Sequence, residues 1–218
     1  MVAPLALALA WDLTGLDLAL AHLSGSTRGF ALRDQWLLSG VLHQGARSLG
    51  WVVLLVLTLT IWWPVGQLKS LARRERAWMV GSMYLALVVV VALKGLSSTS
   101  CPWDLQVFGG NALHVSHWAW GQLDGGGGHC FPAGHASTAF AFLGAYPWLR
   151  RHHSRTAGAW LVGVLMLGAL LGLAQQIRGA HFMSHTLWSA WLCWAVALLT
   201  HRWASQPHPL ASAAPTFS

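Results

Sequence analysis

Five apolar runs divide the chain: Gly50–Gly66, Trp78–Leu93, Phe131–Leu149, Ala157–Ala174 and Phe182–Thr200. Each is close to the roughly 20 residues that a helix needs to cross a bilayer. Two short basic loops lie between them, one holding Lys69, Arg73, Arg74 and Arg76, the other Arg150, Arg151 and Arg155. Short Lys/Arg-rich loops stay cytoplasmic. Gly50–Gly66 is therefore expected to run inward, Trp78–Leu93 outward, Phe131–Leu149 inward, Ala157–Ala174 outward and Phe182–Thr200 inward. Trp51 at the outer boundary, with Trp62, Trp63, Trp78, Trp148, Trp160 and Trp203 at the inner one, fits the aromatic belt of a membrane protein.

The amino end is less regular. Val2–Trp11 is apolar but too short to span, and extending it to Leu23 takes in Asp12, Gly15 and Asp17. A first span that tilts, or borrows from an interfacial helix, is expected. Ala8-Leu9-Ala10 is similar to a signal-peptide cleavage site but has no basic segment before it, and a start codon placed too late would also shorten this run. Ser24–Leu49 reads as an outer loop with amphipathic helical pieces. Residues 95–131 read as a folded outer cap carrying Trp103, Trp118 and Trp120, with Gly125–Gly128 as its hinge. The Pro/Ala/Ser-rich tail, residues 205–218, is expected to be disordered. The fold class expected is all-α: one polytopic membrane helix bundle over residues 1–204, with about six transmembrane helices and an outer-face cap loop.

Composition supports this picture. Of 218 residues, 55% are hydrophobic and 9% charged, against about a quarter charged in soluble domains. The formal charge of +7 collects in the two basic loops. No aromatic-interleaved basic patch accompanies it, so nucleic acid is excluded as a partner and the bilayer is the expected one.

Three segments at the outer ends of these runs carry ionisable groups: Lys94-x6-Cys101-Pro102, Phe131-Pro-Ala-Gly-His135, and Arg178-Gly-Ala-His181-Phe-Met-Ser-His185. His181 and His185 are four apart at the start of a helix and share a face. A histidine can attack a phosphorus atom that an arginine such as Arg178 holds through charge-assisted hydrogen bonds, while His185 accepts the proton of the His181 ring. Gly134 lets backbone approach an anion, and His135 in a first helical turn can protonate a leaving alkoxide. Each residue alone also has a plainer reading. An interfacial histidine packs on loop backbone, and a lysine at a helix end snorkels. Metal binding through His114, His117, His129, His135, His181 and His185 is a further reading, although neither an HExxH nor a paired-cysteine motif is present.

Taken in order, these residues resemble the type 2 phosphatidic acid phosphatase superfamily of membrane lipid phosphatases, whose pattern is Lys-x6-Arg-Pro, Pro-Ser-Gly-His and Ser-Arg-x5-His-x3-Asp. The resemblance covers roughly Trp78 to Thr200. It places Lys94 and Pro102 in the first motif, Pro132, Gly134 and His135 in the second, and His181 at the last histidine. It implies a metal-free, cofactor-free reaction on a lipid phosphate. His181 would be the nucleophile, passing through a phosphohistidine, and His135 the acid. Lys94, Arg178, Ala133 and Gly134 would hold the phosphate.

The departures are Cys101 and Gln175 where the family has arginine, Ala133 for serine, and His185 for aspartate. Arg178 lies one turn from Gln175 and is expected to supply a charge there. Asp104, in Cys-Pro-Trp-Asp, is the nearest replacement carboxylate for His181. The Cys-Pro-Trp-Asp-Leu and Arg-Gly-Ala-His-Phe-x-Ser-His patterns resemble a bacterial branch of the same superfamily. The implied location is the bacterial inner membrane, with the site facing the periplasm. Cys101 and Cys130 flank the first two motifs there, where a disulfide between them can form; Cys193 reads as packing. Phosphate transfer between lipids, or lipid-phosphate or metal binding without turnover, would use the same residues.

Overall fold

Gly15, in the left-handed region at φ 65°, breaks the amino-terminal helix into α1 (Val2–Thr14) and α2 (Leu16–His22), which meet at 72°. The computed structural model describes residues 2–119 and 121–206; the predicted disordered tail beyond Gln206 and Trp120 lie outside the described residues. The bend turns both carboxylates of this segment inward, where they meet the last helix of the chain. Asp17 caps that helix by accepting from the Ser184 amide at 3.1 Å and from the Ser184 hydroxyl. Asp12 accepts from the Trp188 indole at 2.9 Å.

A hairpin of β1 (Gly25–Ser26) and β2 (Gly29–Phe30), paired Gly25 to Phe30, follows. The first long helix then starts well before the expected Gly50. A π-helical stretch, Leu37–Gly45, runs without a break into α3 (Ala46–Leu59). The Ser24–Leu49 segment, expected as an outer loop with amphipathic helical pieces, is thus continuously helical from Leu37 onward. Wide π turns keep its backbone bonded and recur at functional sites. α4 (Arg73–Leu96), α5 (Gly134–Phe140), α6 (Tyr146–His152), α7 (Ser154–Ile177) and α8 (Met183–Ala204) complete the bundle. α5 and α6 form one rod whose middle turn, Ala141–Ala145, tightens to 3-10 geometry. Pro147 has no N–H to offer the preceding turn and crowds its carbonyl, which accounts for the tightening.

The protein is an all-α membrane bundle. Leu37–Leu59, Arg73–Leu96 and Ser154–Ile177 are each long and apolar enough to cross a bilayer, and the bent α1–α2 pair makes a fourth candidate. Leu55, Val88, Val91, Val162 and Met166 expose apolar side chains on the outside, as lipid-facing positions do. The core lies between α4, the α5–α6 rod, α7 and α8, around Met79, Met83, Val90, Phe140, Leu143 and Trp148. Gly168 of α7 lies against the Phe140 ring and Gly172 against Thr186, where a Cβ would collide. Small residues let membrane helices approach this closely.

Both basic loops lie at one end. Glu75 accepts from the Ala72 amide at 2.8 Å and pairs with Arg151 at 3.6 Å and His152 at 3.7 Å. Arg76, counted among the loop charges, is instead buried. Its guanidinium closes the loop by donating to the carbonyls of Ile61 and Leu68, each at 3.2 Å, and of Leu71.

At the opposite end, the cap folds over the bundle. Phe108, Leu105 and Ala112 make a small core with Phe30 of the hairpin and Phe182. The glycine run is no hinge: Gly126 and Gly128 donate to Asp124 at 2.9 Å and to Ser100 at 3.1 Å, and Asp124 binds the Ser100 amide and hydroxyl at 2.6 and 2.8 Å. These buried bonds fasten the run to the first motif.

Close helix approach leads to one expectation. Gly172→Leu, which must push α7 off Thr186, should destabilise the bundle by about 1–3 kcal/mol and lower its melting temperature in detergent. Gly163→Ala, where a Cβ meets nothing within 4 Å, should leave it within a degree or two.

Candidate active site

The carboxyl end of α4, the start of α5 and the turn before α8 bring the three segments together. Their carriers are held by backbone. The Ala133 amide donates to the His185 carbonyl at 3.2 Å. The Ser189 hydroxyl lies between that carbonyl, at 2.8 Å, and the Ala133 carbonyl, at 3.0 Å. Ala133 was expected to offer its amide to a phosphate, but α8 takes it. Gly134 remains open beside Lys94: a Cβ there would lie 3.7 Å from the lysine Nζ.

His181, just ahead of α8, and His185, in its first turn, are 3% and 1% exposed. Their Nδ1 atoms are 3.5 Å apart. His135 approaches His181 with ring centroids separated by 6.0 Å. Burial, then the neighbouring His185, Lys94 and His135, hold the His181 imidazole well below its ordinary 6.5. At neutral pH the ring is uncharged, with a lone pair available for attack.

A disulfide joins Cys101 to Cys130, with Cα atoms 5.1 Å apart. Its Cys130 sulfur lies 3.5 Å from His181 Nδ1 and 3.0 Å from the Ala180 carbonyl oxygen. It walls one side of the histidine pair and ties the cap to the start of α5. Cys130, His181 and His185 place one possible ligand atom each within 4.8 Å of one another. A disulfide sulfur is no thiolate ligand, however, which leaves two imidazoles where zinc takes three or four protein ligands.

Arg178, 7% exposed, donates from Nε to the Arg33 carbonyl at 2.7 Å and from its terminal nitrogen to Gln175 Oε1 at 3.1 Å. The two positions that diverge from the arginine pattern, Cys101 and Gln175, are thus committed to a disulfide and to orienting Arg178. Asp104 does not reach the histidines. Its carboxylate accepts from the Trp103 indole at 3.0 Å, and no hydrogen bond joins it to His181 among the described residues.

Other residues arrive from outside the motifs. The π-helical stretch brings His43 against His135, with ring centroids 3.9 Å apart and the rings tilted by 34°. One turn on, Arg47 lines a cavity of about 510 Å³ with Lys94, Gly134 and His135 at its polar end and Trp51, Leu87, Val88 and Phe142 along its apolar walls. The i, i+4 spacing of His43 and Arg47 directly before an apolar run was their legible sign, as ionisable residues at a membrane boundary tend to be functional. Asp12 and His117 approach from the other side: His117 lies 6.0 Å from His185 between ring centroids, and its Nε2 lies 3.3 Å from an Asp12 oxygen.

The sequence profile of the PAP2 superfamily matches residues 75–208, more than half of the chain. No curated protein matches the chain significantly. Its fold is similar to that in the crystal structure of the first transmembrane PAP2 type phosphatidylglycerolphosphate phosphatase from Bacillus subtilis. The TM-score is 0.56 and the identity 16%, over 94% of each chain.

The depressed His181 pKa sets a pH dependence. Folding keeps this ring neutral, so its contribution to stability is complete above the unfolded value near 6.5. It is lost as pH falls toward the lower folded value. The melting temperature in detergent is expected to drop between pH 7 and pH 5, and His181→Gln to drop less over that interval.

Proposed function

Since the chain belongs to the PAP2 superfamily, we propose that it is a membrane lipid phosphatase that hydrolyses a phosphate or diphosphate ester through a phosphohistidine. One observation carries the reading: Lys94 and His135, from two separate segments, stand at the polar end of an apolar cavity walled by α3, α4 and α5, and the buried His181 of the third segment lies next to them, its ring centroid 6.0 Å from that of His135. A lipid tail suits those walls, and its phosphate then lies beside Lys94 and Arg47.

His181 attacks phosphorus through Nε2 while its Nδ1 proton faces His185. Lys94 and Arg47 neutralise the phosphoryl oxygens, and Arg178 adds positive charge from the turn before His181. His135, on the far side of the phosphoryl group, protonates the oxygen of the departing lipid. Water then attacks the phosphohistidine, releases phosphate and restores the imidazole. The site is assigned to the outer face of a bacterial inner membrane. The basic loops at the other end support this orientation, as does a disulfide beside the site, since disulfides persist in oxidising compartments.

A second reading, binding of a lipid phosphate without turnover, draws on Cys101 and Gln175, where the family's arginine positions serve structural ends. Phosphate release separates the two. Purified protein is given phosphatidic acid, phosphatidylglycerol phosphate, undecaprenyl diphosphate and lipid A, with and without EDTA. Release that resists EDTA, vanishes in His181→Ala and falls about 10²–10⁴-fold in His135→Ala is expected. Lipid bound but never cleaved would establish the second reading instead. Arg47→Ala and Arg178→Ala are each expected to lower kcat/KM by about 10-fold or more.

A further inference from the structure

A second cavity, of about 170 Å³, borders His185. Asp12 and Asp17 from the amino-terminal helices, His114, His117 and Thr99 from the cap, and His185 from α8 line it. At about 30 Å³ per molecule it holds several waters. His117 is pinned: its ring stacks on Phe131 at 4.2 Å and stands edge-on to His185 at 6.0 Å.

Asp12 and His117 expose only 10% and 9% of their side chains. One Asp12 oxygen takes the indoles of Trp118 and Trp188, each at 2.9 Å, and faces His117 Nε2 at 3.3 Å. Its other oxygen is buried and has no partner among the described residues. A buried carboxylate with a free oxygen, one imidazole away from the His181–His185 pair, is placed to balance a charge that develops on that pair.

We propose that Asp12, acting through His117 and water in this cavity, is the positioning carboxylate of the nucleophile, replacing in space the aspartate for which His185 stands in sequence. The inference rests on His181 being the nucleophile. When His181 Nε2 bonds to phosphorus and the P–O bond to the lipid breaks, the ring must shed positive charge. Its Nδ1 proton passes to His185 Nδ1. The His185 Nε2 proton moves through cavity water to His117 Nδ1, and an imidazolium forms against the Asp12 carboxylate. When water cleaves the P–N bond, the proton returns by the same path. His117 and Lys94 oppose a charge held at His185, whereas Asp12 and Asp17 favour one at His117, although His114 opposes it, so the charge is better placed beside Asp12. Asp17 is engaged in capping α8.

Burial lowers the His117 pKa and the Asp12 carboxylate opposes that shift, so removing the carboxylate should lower it further. The test is Asp12→Asn, which keeps an oxygen for the two indoles and removes the charge. Expected are a fall in kcat of about 10- to 1,000-fold, below the ~10⁴-fold cost of the corresponding change in a serine-protease triad, a KM within twofold, and an acid limb of kcat moved to lower pH. His117→Phe, which keeps the stack on Phe131, should reproduce the fall in kcat. Asp17→Asn should lower the melting temperature and move the pH profile less than Asp12→Asn, because Asp17 acts on His117 through space without the hydrogen bond that Asp12 makes. An unmoved pH profile in Asp12→Asn, or equal losses in Asp12→Asn and Asp17→Asn, would overturn the relay.

Histidine ¹⁵N spectra give a reading that does not need turnover. Asp12→Asn must lower the His117 titration and alter the tautomer balance of His185. Unchanged His185 signals overturn the relay. Altered signals in a protein that releases no phosphate support the relay's connectivity and refute only the phosphatase reading.

Discussion

His181 and His185 are almost wholly buried with their Nδ1 atoms 3.5 Å apart, and neither can hold a positive charge there without a counter-ion. Much of the surrounding structure answers this constraint. The disulfide closes one side of the pair with an uncharged wall. Phe131 and Phe182 stack their edges against His185 at 5.3 and 5.5 Å between ring centroids. The carboxylates that approach come from the distant amino-terminal helices. Neutral imidazoles make a good nucleophile and a poor resting ion pair, so in the proposed reaction charge is supplied when phosphate arrives and relieved as it reacts.

The two cavities divide this work. On the α3–α4–α5 side the walls are apolar and the polar end is cationic, with Arg47 and Lys94 beside His135. On the α1–cap side carboxylates and imidazoles share the lining with Trp11, Leu16, Val115 and Phe182. His135 borders the first and His185 the second, and the buried His181 neighbours both rings. In the proposed reaction the lipid phosphate approaches His181 from the His135 side and the proton leaves on the His185 side. In a bilayer this is useful, because the side that admits a lipid tail excludes water.

Precision at the site depends on elements that contribute no chemistry. Asp17 fixes the start of α8 through Ser184, and the Ala133–His185–Ser189 bonds fix α5 against α8. The Asp124–Ser100 bonds and the disulfide fasten the cap between the first two motifs. These are short-range polar contacts inside apolar surroundings, where an unmet partner is costly. They hold the imidazoles in place better than apolar packing, which tolerates sliding, would alone.

Hydropathy and charge determined the membrane bundle, because a 20-residue apolar run has few other ways to meet its backbone hydrogen bonds. The spacing of Lys94, His135 and His181 at the ends of such runs determined which end of the bundle gathers these ionisable groups. Sequence order alone was misleading wherever a side chain's role depended on a partner far along the chain. Asp104 lies closest in sequence to the first motif yet bonds Trp103. Ala133 sits in a phosphate motif yet gives its amide to His185. Arg76 reads as a loop charge yet fills the carbonyls of a turn. Asp12, 169 residues before His181, looked like a defect in a short span, and His43 and Arg47 looked like loop. Only the tertiary structure could place these groups. A helix bend at Gly15 and a π-helical turn before α3 decide which way they face, and both are decided by what they pack against.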